Sequence, residues 1–185
     1  MSATQRIQKN VDFLIPLCQE AHDQGNRFNE AWEKGIKQEG IKYKERVEYK
    51  ELLQDWKKSF SHIYNKIFLI IKKLKNDDLS EIDVAMAFLK IDIRFFRSGY
   101  LKEDLCKALK HIKFSEDYKK IIQDIIINQF SIKGREFGEF GRLAIKVQDK
   151  EFEERISQLT MNTNLHIQLR AKWVLSLLNN TILLS

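Results

Sequence analysis

The chain has 185 residues, 43% hydrophobic and 31% charged, with a formal net charge of +6. That apolar content supports a buried core and excludes a disordered protein. Seven glycines and one proline are too few for a sheet- and loop-rich fold, so an all-α chain of long helices and short connections is expected.

In chain order, Ile7, Val11, Leu14, Cys18 and Ala21 step by fours and threes, which predicts a first helix from about Thr4 to His22. Pro16 lies inside it and is expected to kink or split it, because proline removes an amide donor and crowds the preceding turn. Asn26 is expected to cap a second helix carrying Phe28, Ala31 and Trp32, weakened further on by Gly35 and Gly40. Tyr49, Leu53, Trp56, Phe60, Ile63, Ile67, Ile70 and Leu74 then form a sustained apolar stripe. Leu52, Tyr64, Phe68 and Ile71 widen it, so a long helix packed on several others is predicted. After residue 76 the cadence shortens. Helices are expected around Ile82–Leu89, Leu101–Ile112, Tyr118–Ile126, Phe137–Val147, Phe152–Leu159 and from Asn164 onward.

The expected organisation is an N-terminal helical region over residues 1–76, built on the long amphipathic helix, and stacked helix pairs over residues 77–185, either as two parts or as one continuous domain. Cys18 and Cys106 sit in apolar helical patterns without metal-ligand spacing, as reduced cysteines do. The opening Met-Ser-Ala-Thr-Gln-Arg has no apolar signal region. The apolar run from Ile67 to Leu74 is interrupted by lysines, well short of the roughly 20 residues a membrane span needs. A cytoplasmic protein without membrane insertion is expected.

The unit from Lys150 to Leu178 resembles a HEAT-like repeat. Asn164, Ile167, Ala171, Val174, Leu175 and Leu178 match the layout of that family's second helix. Gln168 stands where the family usually has arginine, and the usual Asp-Pro turn is absent. Over residues 79–148 the similarity is one of architecture alone. The resemblance implies stacked HEAT-like helix pairs over residues 77–185 that bind partners rather than catalyse.

No Gly-rich phosphate loop, HExxH, CxxC or Ser-His-Asp pattern occurs, and no two of His22, His62, His111 and His166 are spaced as ligands on one helix turn. No catalytic residue, metal site or cofactor is expected. Asp83, Asp92 and Asp104 fall on different helices, with Asp83 and Asp104 read as helix caps. From Trp56 to Asn76 there are six lysines and no acidic residue. Lys58, Lys66, Lys72 and Lys73, beside His62 and Asn65, lie opposite the apolar stripe, on a face that is either simply solvated or suited to nucleic-acid phosphates.

Arg94-Phe95-Phe96-Arg97-Ser98-Gly99-Tyr100 interleaves arginines with aromatics at a turn, which suits either core anchoring or an interface. Gly138 and Gly141, between Arg135 and Arg142, cost a helix about 1 kcal/mol each and need a close neighbour to justify them. The leading expectation is a non-catalytic interaction protein with a protein partner, such as an immunity or adaptor protein. Arg94, Phe95, Phe96, Arg97, Tyr100, Arg135 and Arg142 are its contact residues. The alternative is an RNA- or DNA-binding protein, or a small subunit of a nucleoprotein complex, using Lys58, Lys66, Lys72 and Lys73. A third, enzymatic class is DNA-repair glycosylase chemistry, which some helical-repeat folds carry.

Overall fold

The computed structural model describes residues 1–182, and within them every regular element is helical. Eight α-helices follow in order: α1 Ala3–Glu39, α2 Val47–Lys75, α3 Ile82–Lys90, α4 Ser98–Leu109, α5 Glu116–Gln129, α6 Phe137–Ala144, α7 Lys150–Leu159 and α8 Leu165–Ile182. Short 3-10 turns, Gly40–Glu45 and Ile145–Val147, lie between α1 and α2 and after α6. No described helix is long and apolar enough to cross a membrane.

The α1 helix corrects the expectation of two N-terminal helices. It runs unbroken through Pro16 and Asn26. Asp12, Ile15 and Pro16 are all exposed, so the carbonyl deprived of its amide by Pro16 lies on the solvent side, where hydration replaces the lost bond. Asn26 is mid-helix, and its Nδ2 donates to His22 Nε2 at 2.9 Å. The helix opens with a capping box, Ser2 and Gln5 exchanging bonds with each other's backbone amides, and ends at Gly40, whose φ is +62°.

α2 bears out the apolar stripe, with Ile63, Ile67, Ile70, Ile71 and Leu74 buried. Its first half differs. Between Ala21 and Ser59 the only buried residues are Gly35 and Tyr43, so the outer ends of α1 and α2 form a hairpin with almost no core. Aromatic rings hold it instead. Phe28 stacks on Trp56 at 4.9 Å, and Tyr49 packs against Phe28, Trp32 and Tyr43 at 5.5 to 5.7 Å. The Tyr43 ring lies directly on Gly35, leaving no room for a β-carbon there.

α3 is the central element. Ile82 and every residue from Val84 to Leu89 are buried, and α3 is in contact with α1, α2, α4 and α5. Asp83 does not cap it. Its carboxylate accepts from Arg6 Nε and from the Tyr118 hydroxyl, both at 2.6 Å, and joins the N-terminal ends of α1, α3 and α5. Asp104 is likewise no cap, and lies 3.6 Å from Lys107 within α4. The buried apolar side chains other than Tyr43 form one cluster from Ile7 to Leu178. Cys18 and Cys106 are free within it, and burial pushes both thiols up, Cys18 to about 12.

Toward the C-terminus, α7 packs on α8, and α6 lies against α4, α5 and α8. Asp149 caps α7 by accepting from the Phe152 amide at 2.8 Å, and it also accepts from Gln123 Nε2 at 2.8 Å and lies 3.2 Å from Lys120. The Gln123 bond, then the cap, then Lys120 hold its pKa below 3.8 despite partial burial. A carboxylate lowered in this way contributes stability that is complete above its ordinary pKa and is lost as pH falls through the lowered value. Asp149→Ala is therefore expected to cost about 1–2 kcal/mol at pH 7. That difference should shrink below about pH 4, as urea unfolding at pH 7 and pH 3 will measure. An equal difference at both would remove the carboxylate's charge from the explanation.

Candidate interaction surface

The turn between α3 and α4 carries the arginine–aromatic segment. Lys102 on α4, 4% exposed, donates to the carbonyl of Ile91 just past the end of α3 and fixes how the turn leaves. Burial lowers the Lys102 pKa, against the opposing charges of Glu136 and Asp92. From α1, His22 Nδ1 donates to the Arg94 carbonyl at 2.5 Å. At the last step before α4, Arg97 adopts the left-handed region with φ +62°, and Phe95 N–H donates to Ser98 Oγ at 3.2 Å. These constraints turn consecutive side chains to opposite sides. Phe95 is buried against Phe88, with ring centres 6.2 Å apart, whereas Phe96 is 51% exposed.

Phe96 stands edge-on to Trp56 at 5.3 Å and to Phe60 at 5.5 Å. Phe60 continues to Tyr64 at 5.0 Å, and Tyr64 to Phe68 at 6.0 Å. The aromatic series that holds the hairpin thus extends along α2 and emerges at the surface. Arg97 lies over the Phe96 ring at 5.3 Å. Within the first turn of α4, Tyr100 is also 51% exposed, and the Arg135 guanidinium covers its ring at 3.9 Å. Tyr64, Phe96, Arg97, Tyr100, Leu101 and Asp104 line an open groove of about 630 Å³ between α2 and α4.

A smaller cleft of about 250 Å³ joins it at the N-terminal end of α4, where Arg94, Arg97, Tyr100 and Arg135 surround Glu136. The Glu136 side chain is almost fully buried, packed over Gly134 and Gly99 and 3.6 Å from Arg94. Arg135 also pairs with Glu103 at 3.3 Å. The structure therefore brings Arg94, Phe96, Arg97, Tyr100 and Arg135 together and takes Phe95 into the core. Arg142 lines neither cleft. It pairs with Glu139 at 2.5 Å, beside the bond from Lys110 to the same carboxylate at 2.9 Å.

The lysines of α2 divide between two faces. Lys58 and Lys72 are exposed, Lys66 lies over the Phe13 ring at 5.3 Å, and Lys73 pairs with Glu81 at 3.3 Å. The absence of acidic residues within the segment thus did not leave Lys73 unpaired, because Glu81 reaches it from beyond the helix end. Lys57, Lys58, Lys66, Lys72 and Lys75 make no ion pair among the described residues.

Three residues of the surface carried a weak sequence signal. Tyr64 and Phe68 read as a widened core stripe, yet Phe68 is 40% exposed. Glu136 drew no reading of its own beside Arg135. Among the described residues no cluster of three or more His, Cys, Asp or Glu could hold a metal ion. In comparisons with known proteins, no family model, no curated protein and no solved structure matches this chain.

Proposed function

We propose that the protein is a non-catalytic helical interaction module that binds a protein partner through the groove between α2 and α4, in the manner of an immunity or adaptor protein. The observation that carries this reading is the pair of half-exposed rings, Phe96 and Tyr100, each covered on one face by an arginine. Aromatic and arginine side chains dominate the binding energy of protein interfaces, and here they are already positioned before a partner arrives. Arg94, Arg97 and Arg135 form the polar rim. Arg142 belongs to this reading only if the partner reaches as far as α6. Pull-down from cells of the source organism with the wild-type chain and with Phe96→Ala/Tyr100→Ala tests it. A protein retained by the first and reduced at least about tenfold with the second is the expected result. Equal capture by both, or capture by neither, rejects the groove.

Binding to RNA or DNA is the second reading, favoured by the exposed α2 lysines that lack carboxylate partners. A mobility-shift series in salt tests it, since phosphate contacts weaken steeply as salt rises. For the architecture, we read α7 and α8 as a HEAT-like pair. The support is the burial of Phe152 and Ile156 on α7 against Ala171, Val174 and Leu178 on α8. A cytoplasmic location is consistent with two unpaired, buried thiols.

A further inference from the structure

The geometry points to a specific partner chemistry for the groove: an amphipathic helix with an apolar middle and acidic residues in both end turns. This rests on the protein-binding reading above. On α2, Lys57 lies seven residues before Tyr64, Lys75 seven after Phe68, and Lys72 one turn after Phe68. Since seven residues return a helix to nearly the same side, all three share the face that carries the groove's rings. All three are exposed, and the Lys72 ammonium sits 4.7 Å from the centre of the Phe68 ring. None of them pairs with a carboxylate among the described residues.

Between the two ends the same face is uncharged, carrying Ser61, Tyr64, Asn65 and Phe68. The opposite wall supplies Phe96, Tyr100 and Leu101, with Arg97 and Asp104. The surface is therefore a largely aromatic centre, with Arg97 and Asp104 opposed in sign on its wall, and free cations at each end of α2. From Lys57 to Lys75 the helix rises about 27 Å, the length of a partner helix of about 18 residues. A partner laying apolar side chains at helical spacing on the rings would bring its end turns to these lysines.

A nucleic acid fits the same surface less well. Its phosphates are evenly spaced, but α2 offers them no cation on this face between Lys58, at the Lys57 end, and Lys72, about 21 Å further on. On the facing wall Arg97 and Asp104 are of opposite sign, so the centre of the groove offers a continuous polyanion little net attraction. Charge complementarity that is concentrated at the ends favours a helix whose acidic residues are concentrated there too.

Selection of a displayed library of helices, each about 18 residues long and with its outward positions randomised, on the full-length chain tests this. Enriched helices should carry Asp and Glu in both end turns around an apolar middle. Their affinity should fall at least about tenfold for Lys57→Glu/Lys72→Glu/Lys75→Glu, and similarly for Phe68→Ala. Unfolding midpoints of both variants, measured alongside, show that the fold is retained. Enrichment of neutral or basic end turns, binding indifferent to the charge reversal, or no enrichment overturns the inference. So does displacement of the selected helices by a single-stranded oligonucleotide. If the pull-down yields a protein dependent on Phe96 and Tyr100 while the selection fails, only the acidic-helix inference falls. If the pull-down yields none, the protein-binding reading itself falls.

Discussion

Arg170→Ala is expected to destabilise the protein by about 3 kcal/mol, lowering the unfolding midpoint by about 6–12 °C for a chain of this size. The C-terminal end of α5 has no glycine cap, so its last carbonyls need an outside donor. Arg170 on α8 supplies it. Its Nη1 donates to the carbonyls of Gln129 and Phe130 at 3.1 Å and of Ile132 at 2.6 Å, and its Nη2 to that of Gly134 at 3.3 Å. The guanidinium also lies over the Phe137 ring at 4.0 Å. One planar fork thus holds the end of α5, the loop to α6 and the first residue of α6 in register with α8. Arg170→Lys should recover only a minor part, because a single ammonium cannot reach four carbonyls and a ring face together. Urea or thermal unfolding of both variants measures it. A loss below about 1 kcal/mol for alanine would mean that these bonds are replaced by water at no cost.

The second large effect is a difference in sign between two nearby glycines. Gly141 lies under the Trp173 ring of α8, and a β-carbon there would sit 2.7 Å from Trp173 Cη2 and closer still to its neighbour Cζ3. The indole is held in turn by Phe137, with ring centres 6.0 Å apart, so it has little freedom to withdraw. Gly141→Ala should therefore cost about 2–3 kcal/mol through overpacking. Gly138 is three residues earlier on the same helix, yet a β-carbon there would meet only Arg142 Nη1, at 3.8 Å. Gly138→Ala should stabilise by about 0.5–1 kcal/mol, since alanine loses less backbone freedom on folding. Opposite signs in denaturant unfolding are expected. If both substitutions stabilise, α6 and α8 are not packed this closely.

Much of the helical layout was legible because its signals are local. The Tyr49–Leu74 stripe located α2, and the shorter apolar patterns located α3 to α8 within a few residues. The expectation of a close neighbour at the α6 glycines holds for Gly141 and fails for Gly138, since composition cannot say which side of a short helix another helix crosses. Pro16 misled for a related reason. Its consequence depends on whether the affected carbonyl faces solvent, which becomes known only once α1 is oriented on α3. The partner of Lys73, Glu81, lies beyond the lysine-rich stretch, and those of Asp83, Arg6 and Tyr118, lie on other helices, so neither pairing was legible locally. Arg170 carried no signal, because its role is defined by a missing cap about forty residues earlier in the chain.

The arginine–aromatic segment was recognisable as a unit, but its division was not. Periodicity gives no way to tell that Phe95 turns inward and Phe96 outward, since the split follows from the left-handed Arg97 and the anchoring of Ile91 by Lys102. The partnership of Tyr100 with Arg135 joins residues 35 apart in the sequence and appears only when the loop before α6 is laid on α4. That juxtaposition, more than the composition of either segment, makes the surface a candidate for binding.

Photo-crosslinking in living cells tests the proposed role of this surface most directly. A photoreactive amino acid is placed at position 96, in the groove, and for comparison at position 161, where Met161 is 87% exposed on a different part of the chain. A discrete protein adduct at position 96 and none at position 161 is the expected result. Adducts of equal strength at both positions, an adduct to nucleic acid, or no adduct at position 96 would contradict the assignment of the groove between α2 and α4 as a protein-binding site.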